Sequence, residues 1–140
     1  MKKLFVFAAL SFIYIPAYSQ ESVLLKISPL TFNDDGSIDP VFTGLLLSYN
    51  ILNINDVFLT REILDKGGYE VNLLMQWAAK NRPYDLIFKS ALMLGENFTL
   101  KWIKKENEFL GYAAAVLFNL LYSYVNYNNY QLIIRLNSEI

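Results

Sequence analysis

The residues able to do chemistry in this chain are carboxylates, lysines and aromatic rings, because it contains no histidine and no cysteine. Without cysteine there is no thiolate nucleophile, thiolate zinc site or disulfide. Without histidine the usual general base and the commonest transition-metal ligand are also missing. Thirteen Asp and Glu residues remain, but no spacing among them selects a catalytic pair. We therefore expect no catalytic, cofactor-binding or metal-binding residues, and we predict that the protein is not an enzyme.

One group of carboxylates surrounds a glycine in residues 33–39, where it could supply oxygen ligands to calcium. A calcium loop of the EF-hand type that begins at Asn33 requires a glutamate at position 44, and this chain has Gly44 there. We therefore interpret the stretch as a polar turn with Asp35 and Gly36 at its corner.

A cluster of lysines with aromatic neighbours is the second candidate site. Lys101, Lys104 and Lys105 lie around Trp102 and Phe98 in the sequence. This combination can stack on and neutralise single-stranded nucleic acid. The chain has 12 basic and 13 acidic residues and a net charge of -1, which gives no electrostatic support for such a ligand. We expect no nucleic-acid partner.

The first nineteen residues have the layout of a secretory signal peptide. A positive start at Lys2 and Lys3 precedes an apolar run at residues 4–15, and the small residues Ala17 and Ser19 follow it. The run is shorter than the roughly 20 residues that cross a bilayer. We predict that the peptide is cleaved and the protein exported, whether secreted, periplasmic or in the outer membrane. The alternative is an uncleaved anchor or a buried first helix.

Helix and strand periods compete in the middle of the chain. Residues 69–80 fit both periods, and polar turn signals occur at residues 53–56 and 126–129. Residues 57–66 fit a helix better, because Glu62 stands four residues before Lys66 in the favourable orientation for a pair. Gly67 and Gly68 then provide a helix stop.

Residues 84–94 also predict a helix. Pro83 fixes the backbone at its start, Asp85 and Lys89 form a second acid-then-base pair, and Gly95 follows its last apolar residue. Residues 98–102 and 130–137 alternate like strands. The apolar residues 108–125 are interpreted as a buried core helix rather than a membrane span.

The stretch REILDKG at residues 61–67, followed by LLMQWAAKN at residues 73–81, resembles the junction between two ankyrin-type repeats. The resemblance implies an all-α fold of short stacked helical hairpins over residues 41–140, after an extended segment at residues 20–40. Such repeats commonly bind proteins. It therefore implies an exported, non-catalytic protein-protein interaction module, with a host or other protein as the partner. The side chains nearest the inter-repeat loops are the expected contacts: Tyr69, Glu70, Phe98, Lys101 and Trp102.

A second resemblance starts from the N-terminus. The signal-type leader, residues 23–30 and the ten Tyr and ten Phe residues are similar to features of small bacterial outer-membrane barrels. The alternative fold is therefore a small antiparallel β-barrel with a structural or adhesive role, and a membrane is the expected partner only in that case.

Overall fold

Three long helices and one short helix make up the computed structural model, which describes residues 28–69 and 73–138. The helices are α1 at Pro40–Asp65, α2 at Leu73–Lys80, α3 at Tyr84–Glu106 and α4 at Glu108–Ser138. The prediction of an all-α fold is confirmed. The predicted signal peptide at residues 1–19 lies outside the described residues.

The β-barrel alternative finds no support. Across residues 28–69 and 73–138, extended pairing is confined to a single bridge between Phe32 and Ile38. The segments 98–102 and 130–137, which alternate like strands, lie within α3 and α4. Their alternation is compatible with a helix, because short apolar runs do not distinguish the two periods.

Helix α1 begins and ends on signals that are visible in the sequence. The Asp39 side chain accepts a hydrogen bond from the Phe42 N–H at 2.9 Å, which caps the first turn. At the other end Gly67 adopts a φ of 82°, and its N–H donates to the Leu64 carbonyl at 3.1 Å. The predicted stop at Gly67 and Gly68 is therefore confirmed.

Several predicted breaks lie inside helices instead. Gly95, which was expected to end a helix, lies within α3, and the predicted turns at residues 53–56 and 126–129 lie within α1 and α4. The helices are consequently longer than the short hairpin helices that the sequence led us to expect. Glycine weakens a helix interior by about 1 kcal/mol, which packing against neighbouring helices can offset.

Helices α1 and α4 run parallel, and α3 runs antiparallel to both. Asn119 in α4 contacts Leu45 near the start of α1, and Lys104 at the end of α3 contacts Asp39, the cap of α1. We call this the Asp39 end of the bundle, and the opposite end, where α1 stops, the Gly67 end. The main apolar core lies towards the Asp39 end and comprises Phe42, Leu46, Leu100 and Ala115.

Helix α4 is largely exposed. It is long and apolar enough to cross a membrane by length and composition. Only 11% of its most apolar stretch is buried against the rest of the bundle. The interpretation of residues 108–125 as a buried core helix is therefore wrong.

The connection between α3 and α4 consists of one residue, Asn107. Its Oδ1 accepts a hydrogen bond from the Leu110 N–H at 3.0 Å and so caps α4. This tight turn brings the two backbones together. A Cβ placed on Gly111 would lie 2.4 Å from the Lys104 Cα, so glycine is required at this crossing.

We expect Gly111→Ala to lower the free energy of unfolding by about 1–3 kcal/mol, because the added methyl group overlaps the α3 backbone. The matched control is Gly95→Ala, where no atom lies within 4 Å of the new Cβ. There the substitution should raise stability by about 0.5–1 kcal/mol. Denaturant unfolding of both purified variants measures the difference, and a loss of similar size at both sites would contradict the close approach.

Candidate functional site

Polar side chains fill much of the interface between the three long helices. The buried ones include Asn53, Asp56, Thr60, Asp85, Lys89, Asn97 and Asn126. We call these residues and their direct partners the polar seam. Burying a polar or charged group is unfavourable unless it finds a hydrogen-bond partner or a counter-charge. The partners of each group therefore determine what the seam can do.

An ion pair between α1 and α3 lies at the centre of the seam. The Asp56 carboxylate accepts a hydrogen bond from Lys89 Nζ at 3.0 Å and a second one from Asn129 Nδ2 at 2.8 Å. Lys89 Nζ also lies 4.7 Å from the centre of the Tyr122 ring. All three long helices thus contribute to one buried charge cluster.

A second ion pair lies one turn closer to the Gly67 end. Arg61 binds Asp85 through Nε at 2.5 Å and Nη2 at 2.6 Å, so both carboxylate oxygens are used. The predicted pair between Asp85 and Lys89 within α3 is wrong, since the two residues bind different partners on α1. The predicted pair between Glu62 and Lys66 is confirmed at 3.8 Å.

Two asparagines of α4 make the same contact with α1, one heptad apart. Asn119 Nδ2 donates to the Leu45 carbonyl at 3.0 Å, and Asn126 Nδ2 donates to the Leu52 carbonyl at 3.0 Å. Each amide also donates to the carbonyl four residues earlier in α4. Asn55 adds a bond to the Asn126 oxygen at 2.7 Å. These bonds fix the register between the parallel helices.

A third charged cluster lies at the Asp39 end of the bundle. Asp39 accepts hydrogen bonds from Lys104 Nζ at 2.6 Å and from the Tyr112 hydroxyl at 2.7 Å, in addition to its capping bond. Burial alone raises the pKa of Asp39, but the bonds from Lys104, the Phe42 N–H and Tyr112, with the charge of Lys104, lower the pKa to about 2. The carboxylate is therefore ionised at neutral pH.

Glu96 occupies the middle of α3 and differs from Asp39, Asp56 and Asp85. It accepts a hydrogen bond from the fully buried Tyr49 hydroxyl. The Tyr49 ring packs edge-to-face on Tyr122 at 5.2 Å and on Phe118 at 5.6 Å. In the described part of the chain Glu96 has no salt-bridge partner.

The predicted partner-binding residues do not form one surface. Phe98 and Trp102 are 49% and 57% exposed on one face of α3, with the half-buried Lys101 between them. Tyr69 is 74% exposed but lies beyond the Gly67 end. Glu70 lies outside the described residues.

The residues of the other two candidate sites, the carboxylates at residues 33–39 and the lysine cluster, are also divided between different contacts. Asp35 accepts hydrogen bonds from the Ser37 N–H and hydroxyl at 2.9 and 2.6 Å, which forms the expected polar turn. The Asp39 carboxylate does not join this turn but binds Lys104. Lys104 is therefore not available to the lysine cluster. Within residues 28–69 and 73–138, no group of three or more acidic side chains is placed to hold a metal ion.

Sequence reasoning missed the residues that form the centre of the seam, above all Asp56, Lys89, Asn126 and Asn129. Polar residues in α1 and α4 recur every three or four positions within apolar segments, which is the spacing of one helix face. That recurrence was the available signal. It was obscured because clusters of Asn and Asp also mark turns.

A family model described as a domain of unknown function, DUF5658, matches residues 39–135. The matched span begins at the cap of α1 and ends within α4, so it contains the whole polar seam. No curated protein and no solved structure matches the chain. The ankyrin-type resemblance stays a prediction.

We expect Lys89→Met to lower the free energy of unfolding by about 3–5 kcal/mol, because it leaves the Asp56 charge buried without its counter-ion. Adding Asp56→Leu should recover part of that loss. Asp65→Asn, which breaks the exposed pair with Arg82, is the control and should change stability by less than about 1 kcal/mol. Thermal unfolding of the wild type and the three variants tests this, and a double variant less stable than Lys89→Met would contradict it.

The low pKa of Asp39 predicts an acid-labile contribution to stability. Because the folded-state value of about 2 is below the ordinary 3.8, the contribution is complete above pH 3.8 and is lost as the pH falls towards 2. Asp39→Asn should remove it. The stability difference between wild type and this variant should therefore shrink between about pH 4 and pH 2. The exposed Asp34→Asn is the control, and an equal pH profile for both variants would contradict the assignment.

Proposed function

The chain belongs to the family DUF5658, and we propose that its three long helices cross a lipid bilayer and act there as a non-catalytic module that binds a protein partner. The observation that carries the proposal is the distribution of side chains. Outside the apolar core at the Asp39 end, many large apolar residues face outward, and polar and charged residues lie between the helices. This is the reverse of the arrangement that stabilises a protein in water.

The outward apolar surface is most extensive on α4. Leu117, Leu120, Leu121 and Val125 are all exposed along its middle. Contiguous apolar surface of this kind is unfavourable in water and typical of contact with a membrane or a partner. Lipid chains would cover it without requiring any rearrangement of the bundle.

The helix lengths are compatible with spanning. Helices α1, α3 and α4 contain 26, 23 and 31 residues, and about 20 residues cross the hydrocarbon layer. Among the described helices, α4 alone is apolar enough in composition to cross a membrane. Helices α1 and α3 contain more polar residues, but those of the seam point into the bundle, where intramembrane charges are normally paired.

Aromatic residues lie near both ends of the bundle on its outer surface. Trp102 and Phe109 are exposed towards the Asp39 end, and Trp77 and Tyr84 are exposed at the Gly67 end. Trp77 stacks on Tyr84 with their ring centres 6.0 Å apart. Such rings are enriched at the two membrane–water interfaces.

The distribution of basic residues supports one orientation. The Asp39 end has Lys101, Lys104 and Lys105, and the Gly67 end has four basic residues, namely Lys66, Lys80, Arg82 and Arg135. By the positive-inside rule the Gly67 end is cytoplasmic. A cleaved signal peptide and an uncleaved N-terminal anchor both place the start of α1 on the exported side, so either one agrees with this orientation.

The partner-binding part of the proposal rests on the exposed face of α3. Phe98 and Trp102 project from it one turn apart, where a second helix could pack on them inside the bilayer. A water-exposed exported module is the second candidate, and the signal-type residues 1–19 favour it. In that case Tyr69, Phe98 and Trp102 would contact a soluble partner.

Membrane insertion predicts that the full chain stays in the pellet after alkaline carbonate washing and that detergent releases it. Because the chain has no cysteine, single substitutions then report the orientation. In intact cells a membrane-impermeant maleimide should label Glu106→Cys at the Asp39 end. It should label Tyr69→Cys at the Gly67 end only after the membrane is permeabilised.

Two outcomes would contradict the proposal. Release of the chain by carbonate would exclude a spanning bundle and favour the soluble module. Labelling of both positions in intact cells would exclude the proposed orientation. The partner-binding role is tested separately by a photoreactive residue at Phe98, with the buried Leu100 as the control position on the same helix.

A further inference from the structure

A cleft at the Gly67 end of the bundle lies outside the polar seam. Its volume is about 570 Å³, a size that is typical of pockets for small ligands. The last turn of α1, the last turn of α2 and the connection between α2 and α3 form its walls. The lining residues are Leu64, Asp65, Ala79, Lys80, Asn81 and Arg82.

The cleft contains charged groups of both signs. Arg82 Nη2 donates a hydrogen bond to Asp65 Oδ1 at 2.7 Å, and Lys80 lines the same cleft. The side chains of Arg82 and Asp65 are 43% and 64% exposed. An ion pair this exposed contributes less than about 1 kcal/mol and separates readily. A ligand with one negative and one positive group can therefore replace both partners of the pair without leaving either charge unmatched.

The guanidinium group of Arg82 is held in place while part of it stays available. Among the described residues its recorded hydrogen bonds both use Nη2, to Asp65 and to the Arg61 carbonyl at 3.4 Å. The N–H groups of Nε and Nη1 can then bind a phosphate, which arginine holds through two oxygens. Asp65 and the C-terminal ends of α1 and α2 offer the opposite polarity, because a helix ends in partial negative charge.

Two aromatic rings place the cleft at the level of lipid headgroups. Trp77 precedes residues 79–82 and Tyr84 follows them, and the two rings stack with their centres 6.0 Å apart. Both rings are more than half exposed. Exposed tryptophan and tyrosine are enriched where the hydrocarbon layer meets the headgroups. In a spanning bundle the cleft therefore lies beside phosphate and ammonium groups.

We propose that the cleft binds the headgroup of a zwitterionic phospholipid with a primary ammonium group, which is the chemistry of phosphatidylethanolamine. Arg82 and Lys80 bind its phosphate, and Asp65 binds its ammonium group. The proposal rests on the proposed function, because membrane insertion brings the Gly67 end to the headgroups of the cytoplasmic leaflet. A choline headgroup has no N–H to donate to Asp65, and phosphatidylglycerol has no positive charge to offer it.

The first test measures thermal unfolding of the purified full chain in detergent as phosphatidylethanolamine, phosphatidylcholine or phosphatidylglycerol is added. Phosphatidylethanolamine should give a saturable rise in Tm on the order of 5 °C. The other two lipids should need several-fold higher concentrations for the same rise. Absence of a rise, an equal response to all three lipids or a stronger response to phosphatidylglycerol would overturn the proposal.

Two substitutions separate the phosphate contact from the ammonium contact. Arg82→Gln should weaken the binding of phosphatidylethanolamine and phosphatidylcholine alike, because both lipids carry the phosphate. Asp65→Asn should weaken phosphatidylethanolamine alone and so remove the preference between them. Lys105→Gln and Glu106→Gln, which each remove one exposed charge at the Asp39 end, are the controls and should leave binding unchanged. A preference that survives Asp65→Asn would overturn the ammonium contact.

The second test uses the wild-type chain and therefore does not depend on whether a variant folds. Stepwise N-methylation of phosphatidylethanolamine should lower its affinity, most steeply at the last methyl group, which removes the last N–H donor. An affinity that is indifferent to methylation would contradict the proposal.

Soluble glycerophosphoethanolamine distinguishes the two sources of the same headgroup chemistry. Weak binding of this compound supports a membrane lipid as the ligand, whereas binding as tight as that of the lipid would overturn the lipid assignment. These measurements are made in detergent, and carbonate extraction is made on membranes. Failure of the headgroup site and failure of membrane insertion are therefore distinguishable.

Discussion

The structure depends first on the bonds between the asparagine amides of α4 and the backbone carbonyls of α1. Asn119 and Asn126 bind Leu45 and Leu52 with the same geometry. A helical carbonyl already accepts one bond within its own helix, and its second lone pair remains available. Using that lone pair at two points one heptad apart aligns two parallel helices with little freedom to slide. Side-chain amides between apolar helices specify register in this way.

The register of α1 and α4 then determines where α3 can lie. Asn129 follows Asn126 by one turn and holds one oxygen of Asp56, which leaves the other oxygen for Lys89 of α3. A sliding of α3 by one turn would separate Lys89 from Asp56 and also Asp85 from Arg61. Because each broken pair would leave an uncompensated buried charge, the two pairs together oppose such displacement. The polar seam therefore specifies the arrangement of the helices, whatever its net contribution to stability.

The features that sequence reasoning predicted correctly are those decided within a few residues. The helix stop at Gly67 follows from local backbone geometry, and the pair between Glu62 and Lys66 lies on one helix surface. Asp85 and Lys89 have the same spacing as that pair, yet both bind α1. The two pairs differ in how deeply their side chains are buried, and a rule based only on spacing along a helix takes no account of burial. The asparagines of α4 were interpreted as a turn for the same reason, since their partners lie more than seventy residues away in the chain.

The outward apolar surface and the inward polar seam are consequences of one constraint. Hydrocarbon offers no hydrogen bonds, so a polar group within a spanning helix must find its partner on another helix. The seam meets this requirement for its cations, because Lys89, Lys104 and Arg61 all have acidic partners. Its acceptors are in excess among the described residues, as Glu96 and the unpaired amide oxygens of Asn53 and Asn97 indicate. If hydrocarbon surrounds the bundle, lipid chains offer no donor to these acceptors, so any partner for them must lie within the bundle.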